Sequence, residues 1–304
     1  MTTTEHAPPA EPARPAGLPR LTPPVERPRA DCTVDATGRI TWNVHLTVPA
    51  GARPRLLLRL RPKKGQPETV RHLLDLEPAG PDRLRAVLDP EPVLAEGRWD
   101  AYVVPASSDH QEVRQRLLPG LRDLRALVDG RPAGRTASPL AVRIPYATAD
   151  RYLAVRSWLR RGHAEAAGVR VSGHTLTVRA RLYGAGPAAG TTVLLRRRGG
   201  DDTALRIEPR AEDGRDGEDT DDGEDFSFTV DYRDLLNAGG SGHEVWDLYV
   251  ERPGGAPLIR MGRLLDDVAE RKKIFVYTAA RLGGATVRPY YTLDNDLSVE
   301  VTGD

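Results

Sequence analysis

An all-β fold of two tandem β-sandwiches is predicted by three observations: an internal echo, apolar residues alternating with period two, and turn-forming residues between the alternating runs. Trp99-Asp100-Ala101-Tyr102-Val103 returns as Trp246-Asp247-Leu248-Tyr249-Val250, and Pro145-Tyr146-Ala147-Thr148-Ala149-Asp150 returns as Pro289-Tyr290-Tyr291-Thr292-Leu293-Asp294. The first echo precedes the second by 46 residues in one copy (Trp99 to Pro145) and by 43 in the other (Trp246 to Pro289). Two matches in one order at nearly one separation mark a duplication. A period above ~100 residues means two whole domains rather than a solenoid of short units.

The remaining elements align on those anchors. Ile40, Trp42, Val44 and Leu46 alternate with polar residues, as do Leu176, Val178, Ala180 and Leu182. Leu56-Leu57-Leu58-Arg59 matches Val193-Leu194-Leu195-Arg196, and Leu74-Asp75-Leu76-Glu77-Pro78 matches Leu205-Arg206-Ile207-Glu208-Pro209. Leu84-Arg85-Ala86-Val87-Leu88-Asp89 matches Phe226-Ser227-Phe228-Thr229-Val230-Asp231. Each run reads as a strand with one buried face, and Gly, Pro and Asp between the runs supply turns. Short strands at this spacing in a unit of about 120 residues predict a sandwich. The division expected is a Pro-rich tail over 1–30, sandwiches over 31–157 and 168–304, and a linker over 158–167. The segment before each second echo, from Leu117 in copy one and from Arg260 in copy two, fits a strand with a turn or a short helix.

Composition narrows the classes of function. The 304 residues carry 44 basic and 43 acidic side chains, a formal charge of +1, which argues against bulk attraction to nucleic acid. The one cysteine, Cys32, cannot close an internal disulfide, so nothing marks an oxidising compartment. The first 30 residues hold eight prolines and no apolar run, unlike a signal peptide and like a disordered, partly polyproline tail. No stretch approaches the roughly 20 apolar residues of a membrane span. A cytoplasmic location is expected, peripheral at the inner membrane face where a partner holds it there. Residues 211–225 carry nine carboxylates and one arginine, too dense a charge to bury, and read as an exposed loop rather than a calcium loop.

Signatures of chemistry are sparse. The seven histidines lie far apart, and phosphate-loop, dinucleotide and nucleophile-elbow motifs are missing, so no cofactor, structural metal or catalytic residue is expected. Asp294-Asn295-Asp296 has the spacing of a carboxylate pair that holds a divalent cation against a diphosphate. Its copy-one counterpart, Asp150-Arg151-Tyr152, lacks the second carboxylate, and Asp and Asn also favour turns. Alternation sets Trp99 and Trp246 on the core face. Tyr102 and Tyr249 fall on the opposite face, where they are candidate ligand-binding residues. Tyr146 and Tyr290, each after a proline, are candidates too, or corner residues bonding the backbone.

Residues 246–250, 259–277 and 287–301 together resemble the C-terminal modules of bacterial cell-wall glycosyltransferases and glycerophosphotransferases, teichoic-acid glycosyltransferases among them. The resemblance implies immunoglobulin-like sandwiches associated with oligomerisation and polymer binding, following a catalytic domain for which the tail before Asp31 leaves no room. It carries over no catalytic residue. The function expected is a non-catalytic accessory protein that scaffolds or binds an envelope-polymer synthesis enzyme, its polysaccharide, or itself. Alternatives are a divergent metal-dependent transferase using Asp294 and Asp296, and a self-assembling structural protein.

Overall fold

The computed structural model describes residues 27–49, 51–105, 114–130, 139–184, 188–199, 203–211, 225–240 and 242–303. Copy one comprises β1 (Arg29–Val34), β2 (Ile40–His45), β3 (Arg55–Leu60), β4 (Arg71–Asp75), β5 (Glu77–Gly80), β6 (Arg83–Leu88), β7 (Gly97–Val104), β8 (Gln115–Arg116), β9 (Leu118–Asp123), the short helix α1 (Arg125–Gly130), β10 (Leu140–Ala147) and β11 (Leu153–Arg160). Copy two comprises β12 (His163–Ser172), β13 (Thr175–Tyr183), β14 (Thr192–Arg197), β15 (Ala204–Ile207), β16 (Arg210–Ala211), β17 (Asp225–Asp231), α2 (Tyr232–Ala238), β18 (His243–Glu251), β19 (Ile259–Gly262), β20 (Ala280–Leu282), β21 (Ala285–Tyr291) and β22 (Leu297–Gly303). The chain is all-β, as its alternation predicts. Among the described residues no helix is long and apolar enough to cross a membrane.

In copy one, sheet β5-β6-β2-β1-β9 faces sheet β10-β11-β7-β3-β4. Between them lie Ile40, Trp42, Val44, Leu56, Leu58, Trp99 and Ala101, the inward members of their strands. Copy two repeats the plan around Leu176, Val178, Val193, Leu195, Trp246 and Leu248. The pairing of the echo is repeated as well: Trp99 lies opposite Val155 and Trp246 opposite Val299. The sheets connect differently in the two copies. In copy one β8 pairs with β7 and β9 with β1, whereas in copy two β19 alone pairs with both β18 and β12, joining the sheets into one.

Three expectations need correction. Leu56 pairs with Leu74 and its equivalent Val193 pairs with Ile207, so Leu74 corresponds to Ile207 and not to Leu205. A slip of two keeps every side chain on its face, so alternation cannot detect it. Residues 158–167 are not a linker: β11 runs to Arg160, Arg161 and Gly162 make the turn, and β12 starts at His163. Trp158 on that segment is fully buried in the core of copy one. The tail ends earlier than expected, because Arg29 and Ala30 already belong to β1. Residues 1–26 and 212–224, including nearly all of the acidic run, lie outside the described residues. The undecided segment of copy one is both strand and helix, β9 followed by α1, while that of copy two is strand β19 and then irregular chain.

The copies pack as neighbours with a shared interior. Tyr183, Leu264 and Ala269 of copy two belong to the core of copy one. A two-residue connection and a common core leave little freedom for the copies to rotate against each other.

Candidate functional site at the junction of the copies

One groove lies where the copies meet, a second is lined by copy two alone, and Asp294 in the turn between β21 and β22 borders both. The turn starts from Thr292, whose amide donates to the Asp296 carbonyl at 2.8 Å and whose Oγ1 accepts from the amides of Asp294 and Asp296 at 3.2 Å. Asn295 takes a left-handed conformation with φ 61°, which Asn tolerates better than most residues. Copy one builds the same turn: the Thr148 amide donates to the Tyr152 carbonyl, and Arg151 takes φ 63°. Gly262 lets the copy-two turn close over β19, since a Cβ there would come within 2.7 Å of the Asn295 carbonyl oxygen.

Each member of the Asp294-Asn295-Asp296 triplet is engaged. Asp294 accepts from Arg156 Nη2 at 2.6 Å, and its carbonyl accepts from Trp158 Nε1 at 3.1 Å. Asn295 is fully buried. Its Oδ1 accepts from the Arg271 amide at 3.0 Å and its Nδ2 donates to the Val268 carbonyl at 2.8 Å, fixing the irregular chain after β19. Asp296 lies within 3.4 Å of Arg160 and 3.7 Å of Arg260. Burial raises its pKa despite those two cations. Beside the triplet, Arg98 donates to the Leu293 carbonyl at 2.9 Å and pairs with Glu270 at 3.7 Å.

Four residues of copy one thus receive the turn: Arg98, Arg156, Trp158 and Arg160. Sequence reading does not single out Arg98, Arg156 or Trp158, although a signal exists. Arg156, Trp158 and Arg160 alternate on one face of β11, whereas the equivalent positions of β22 and beyond are Glu300, Thr302 and Asp304. An arginine–tryptophan–arginine stripe without a counterpart marks a face that meets something.

One groove, of about 630 Å³, is lined by Arg61, Lys63, Glu96, Arg98, Arg156 and Asp294, with Leu60, Pro62 and Val70 on its wall. The other, of about 390 Å³, is lined by Arg198, Asp247, Arg260, Lys272, Tyr290, Asp294 and Asp296. Behind them runs a duplicated ion-pair cluster. Asp100 accepts from Arg59, Arg61 and Arg116, the shortest bond being 2.7 Å. Asp247 accepts from Arg198 at 2.6 Å, Arg260 at 2.7 Å and Ser298 at 2.8 Å. Burial opposes ionisation of Asp247, but those donors outweigh it and hold its pKa below the ordinary carboxylate value. The invariant Asp of the echo is therefore the centre of an arginine cluster in both copies. Among the described residues no three His, Cys, Asp or Glu side chains converge as a metal site would require.

The four candidate tyrosines are not brought together. Tyr102 is buried beside Leu57 and Val104, with the guanidinium of Arg59 5.4 Å from its ring centre and that of Arg114 6.0 Å away. Tyr249 is half-buried between Arg196 and Arg260, at 5.1 and 4.9 Å. Tyr146 belongs to the core of copy one. Tyr290 alone reaches a groove, where Lys272 stands 5.7 Å from its ring.

No protein-family model matches the chain, and neither does any curated protein. Among solved structures, the crystal structure of S. aureus TarS matches over 72% of this chain and 38% of that chain, at 13% identity and a TM-score of 0.32. The crystal structure of S. aureus TarS 217-571 matches over 70% of this chain and 59% of that one, at 14% identity and a TM-score of 0.30. The chain spans less than two thirds of either structure's length. Likeness at this level bears on neither activity nor partner.

Proposed function

We propose that this chain is a non-catalytic accessory protein of cell-envelope polysaccharide synthesis, which holds a synthesis enzyme or its polymer against the grooved junction of its two sandwiches. The observation that supports the reading is the use made of Asp294, Asn295 and Asp296. Asp294 and Asp296 spend their charge on Arg156, Arg160 and Arg260, and Asn295 on the backbone of residues 268–271. A carboxylate pair so neutralised offers a divalent cation little net charge. The same turn welds the copies and leaves a groove whose wall carries Arg61, Lys63, Arg98 and Arg156 against Glu96 and Asp294. A polar groove with an apolar flank, Lys63 on its wall and the part-exposed Arg61 and Arg98 beside it suits a sugar–phosphate polymer, whose anionic groups would meet these cations. The resemblance of residues 246–301 to modules of envelope-polymer transferases points to the same class of partner. The protein acts in the cytoplasm, at the inner membrane face where its partner holds it.

The test is a tagged pull-down from cytosolic and membrane fractions, read by mass spectrometry, together with titration of an anionic teichoic-acid-type polymer. Co-purification of a glycosyl- or glycerophosphotransferase, or polymer binding weakened by Lys63→Ala, supports the proposal. Turnover of a nucleotide-sugar donor that disappears in Asp294→Ala overturns it in favour of a metal-dependent transferase.

A further inference from the structure

Free sheet edges are usually blunted by short length, proline or charges committed elsewhere, and most edges here follow that rule. β5 and β9 contain Pro78 and Pro119, β16 has two residues and β20 three. On β15, the copy-two counterpart of β4, Arg206 is held by Glu251. β4 is the exception. Among the described residues it ends its sheet and pairs only with β3, and it runs five residues without proline.

The side chains of β4 divide cleanly. Leu74 packs toward the core, while Arg71, Leu73 and Asp75 share the outer face. Leu73 is 44% exposed and forms one row across the sheet with Leu57 and Tyr102, extending an apolar strip to the very edge. Within its own sheet Arg71 lies opposite a like charge, Arg59, and Asp75 lies opposite Arg55, and neither Arg71 nor Asp75 makes an ion pair among the described residues.

We propose that β4 is a self-complementary edge through which two copies of this chain join, antiparallel about a two-fold axis at Leu73. In that register Arg71 of each protomer stands opposite Asp75 of the other, and the two Leu73 side chains meet. The strips Tyr102–Leu57–Leu73 of the two protomers become continuous across the joint. Opposite charges and apolar pairs directly across antiparallel strands favour pairing, and the edge supplies main-chain hydrogen bonds. Five residues a side fall short of the roughly 1,200 Å² of a standard interface, so the dimer is weak and concentration-dependent.

Sedimentation velocity of the full chain, from about 1 μM to about 1 mM, should show a reversible monomer–dimer equilibrium. Arg71→Asp and Asp75→Arg should each weaken the dimer about tenfold or more, since each places two like-charge pairs across the joint. The double variant R71D/D75R should restore it. An equimolar mixture of the two single variants should form a heterodimer, which also shows that both remain folded. A monomer at every concentration, an assembly larger than two, or a dimer indifferent to the single reversals would overturn the proposal.

Discussion

The two copies make the same five-residue turn and use it differently. In copy one the turn folds back on its own sandwich: Asp150, 56% exposed, pairs with Arg116 at 2.6 Å, and Arg116 stacks 3.9 Å from the Tyr152 ring centre. In copy two the turn reaches across. Asp294 is equally exposed, but its partner Arg156 keeps only 4% of its side chain in solvent and belongs to the other copy. Identical backbone chemistry therefore closes one sandwich locally and fastens two together. The decision lies with the receiving face: β11 presents Arg156, Trp158 and Arg160, and β22 has no such stripe.

That contrast can be broken most severely at the receiving tryptophan. Trp158→Ala should cost about 3–5 kcal/mol, the range for truncating a fully buried large aromatic, and split a single calorimetric transition into two as the copies uncouple. Thr302→Ala, at the equivalent place in copy two, should stay within about 0.5 kcal/mol. Next comes the carboxylate. Asp294→Ala leaves Arg156 buried and unpaired, and should cost about 2–3 kcal/mol, below the roughly 3–5 kcal/mol of a fully buried broken pair because Asp294 itself is solvated. Asp150→Ala should cost no more than about 1 kcal/mol. Urea denaturation of the two variants measures both, and equal losses would mean that the copies are not locked through Arg156.

The left-handed position sharpens the comparison by sign. Asn295→Gly keeps the conformation but orphans two buried backbone groups, and should lose about 2 kcal/mol. Arg151→Gly relieves a left-handed non-glycine residue that has no such bonds, and should gain up to about 1 kcal/mol. Thermal melts of the pair decide it. The smallest effect is a pH dependence. Asp247, with its pKa lowered, contributes stability above the ordinary carboxylate range near pH ~4 that fades as pH falls through its depressed value. Asp296, with its pKa raised, contributes below that range and loses its contribution as pH rises through the raised value. Stability measured against pH should therefore lose part of its acid limb in Asp247→Asn, whereas Asp296→Asn should flatten the change on the side toward neutrality.

The sequence by itself determined the duplication and the inward faces of β2, β6, β7, β13, β17 and β18, because burial on one side of a sheet imprints period two on the chain; β1 and most of β12 it did not mark. It also placed Trp99 and Trp246 in the two cores. It could not fix the pairing of β4 with β3 against that of β15 with β14, where a shift of two leaves the alternation intact. Nor could it tell a linker from the end of one strand and the start of the next, since Trp158 between arginines reads as an interruption until the partner that buries it is in place. The tertiary structure alone decided what Asp294, Asn295 and Asp296 do. Their partners, Arg156, Arg160 and Arg271, lie 24 to 138 residues away, and a short motif carries no record of charges that only folding brings beside it.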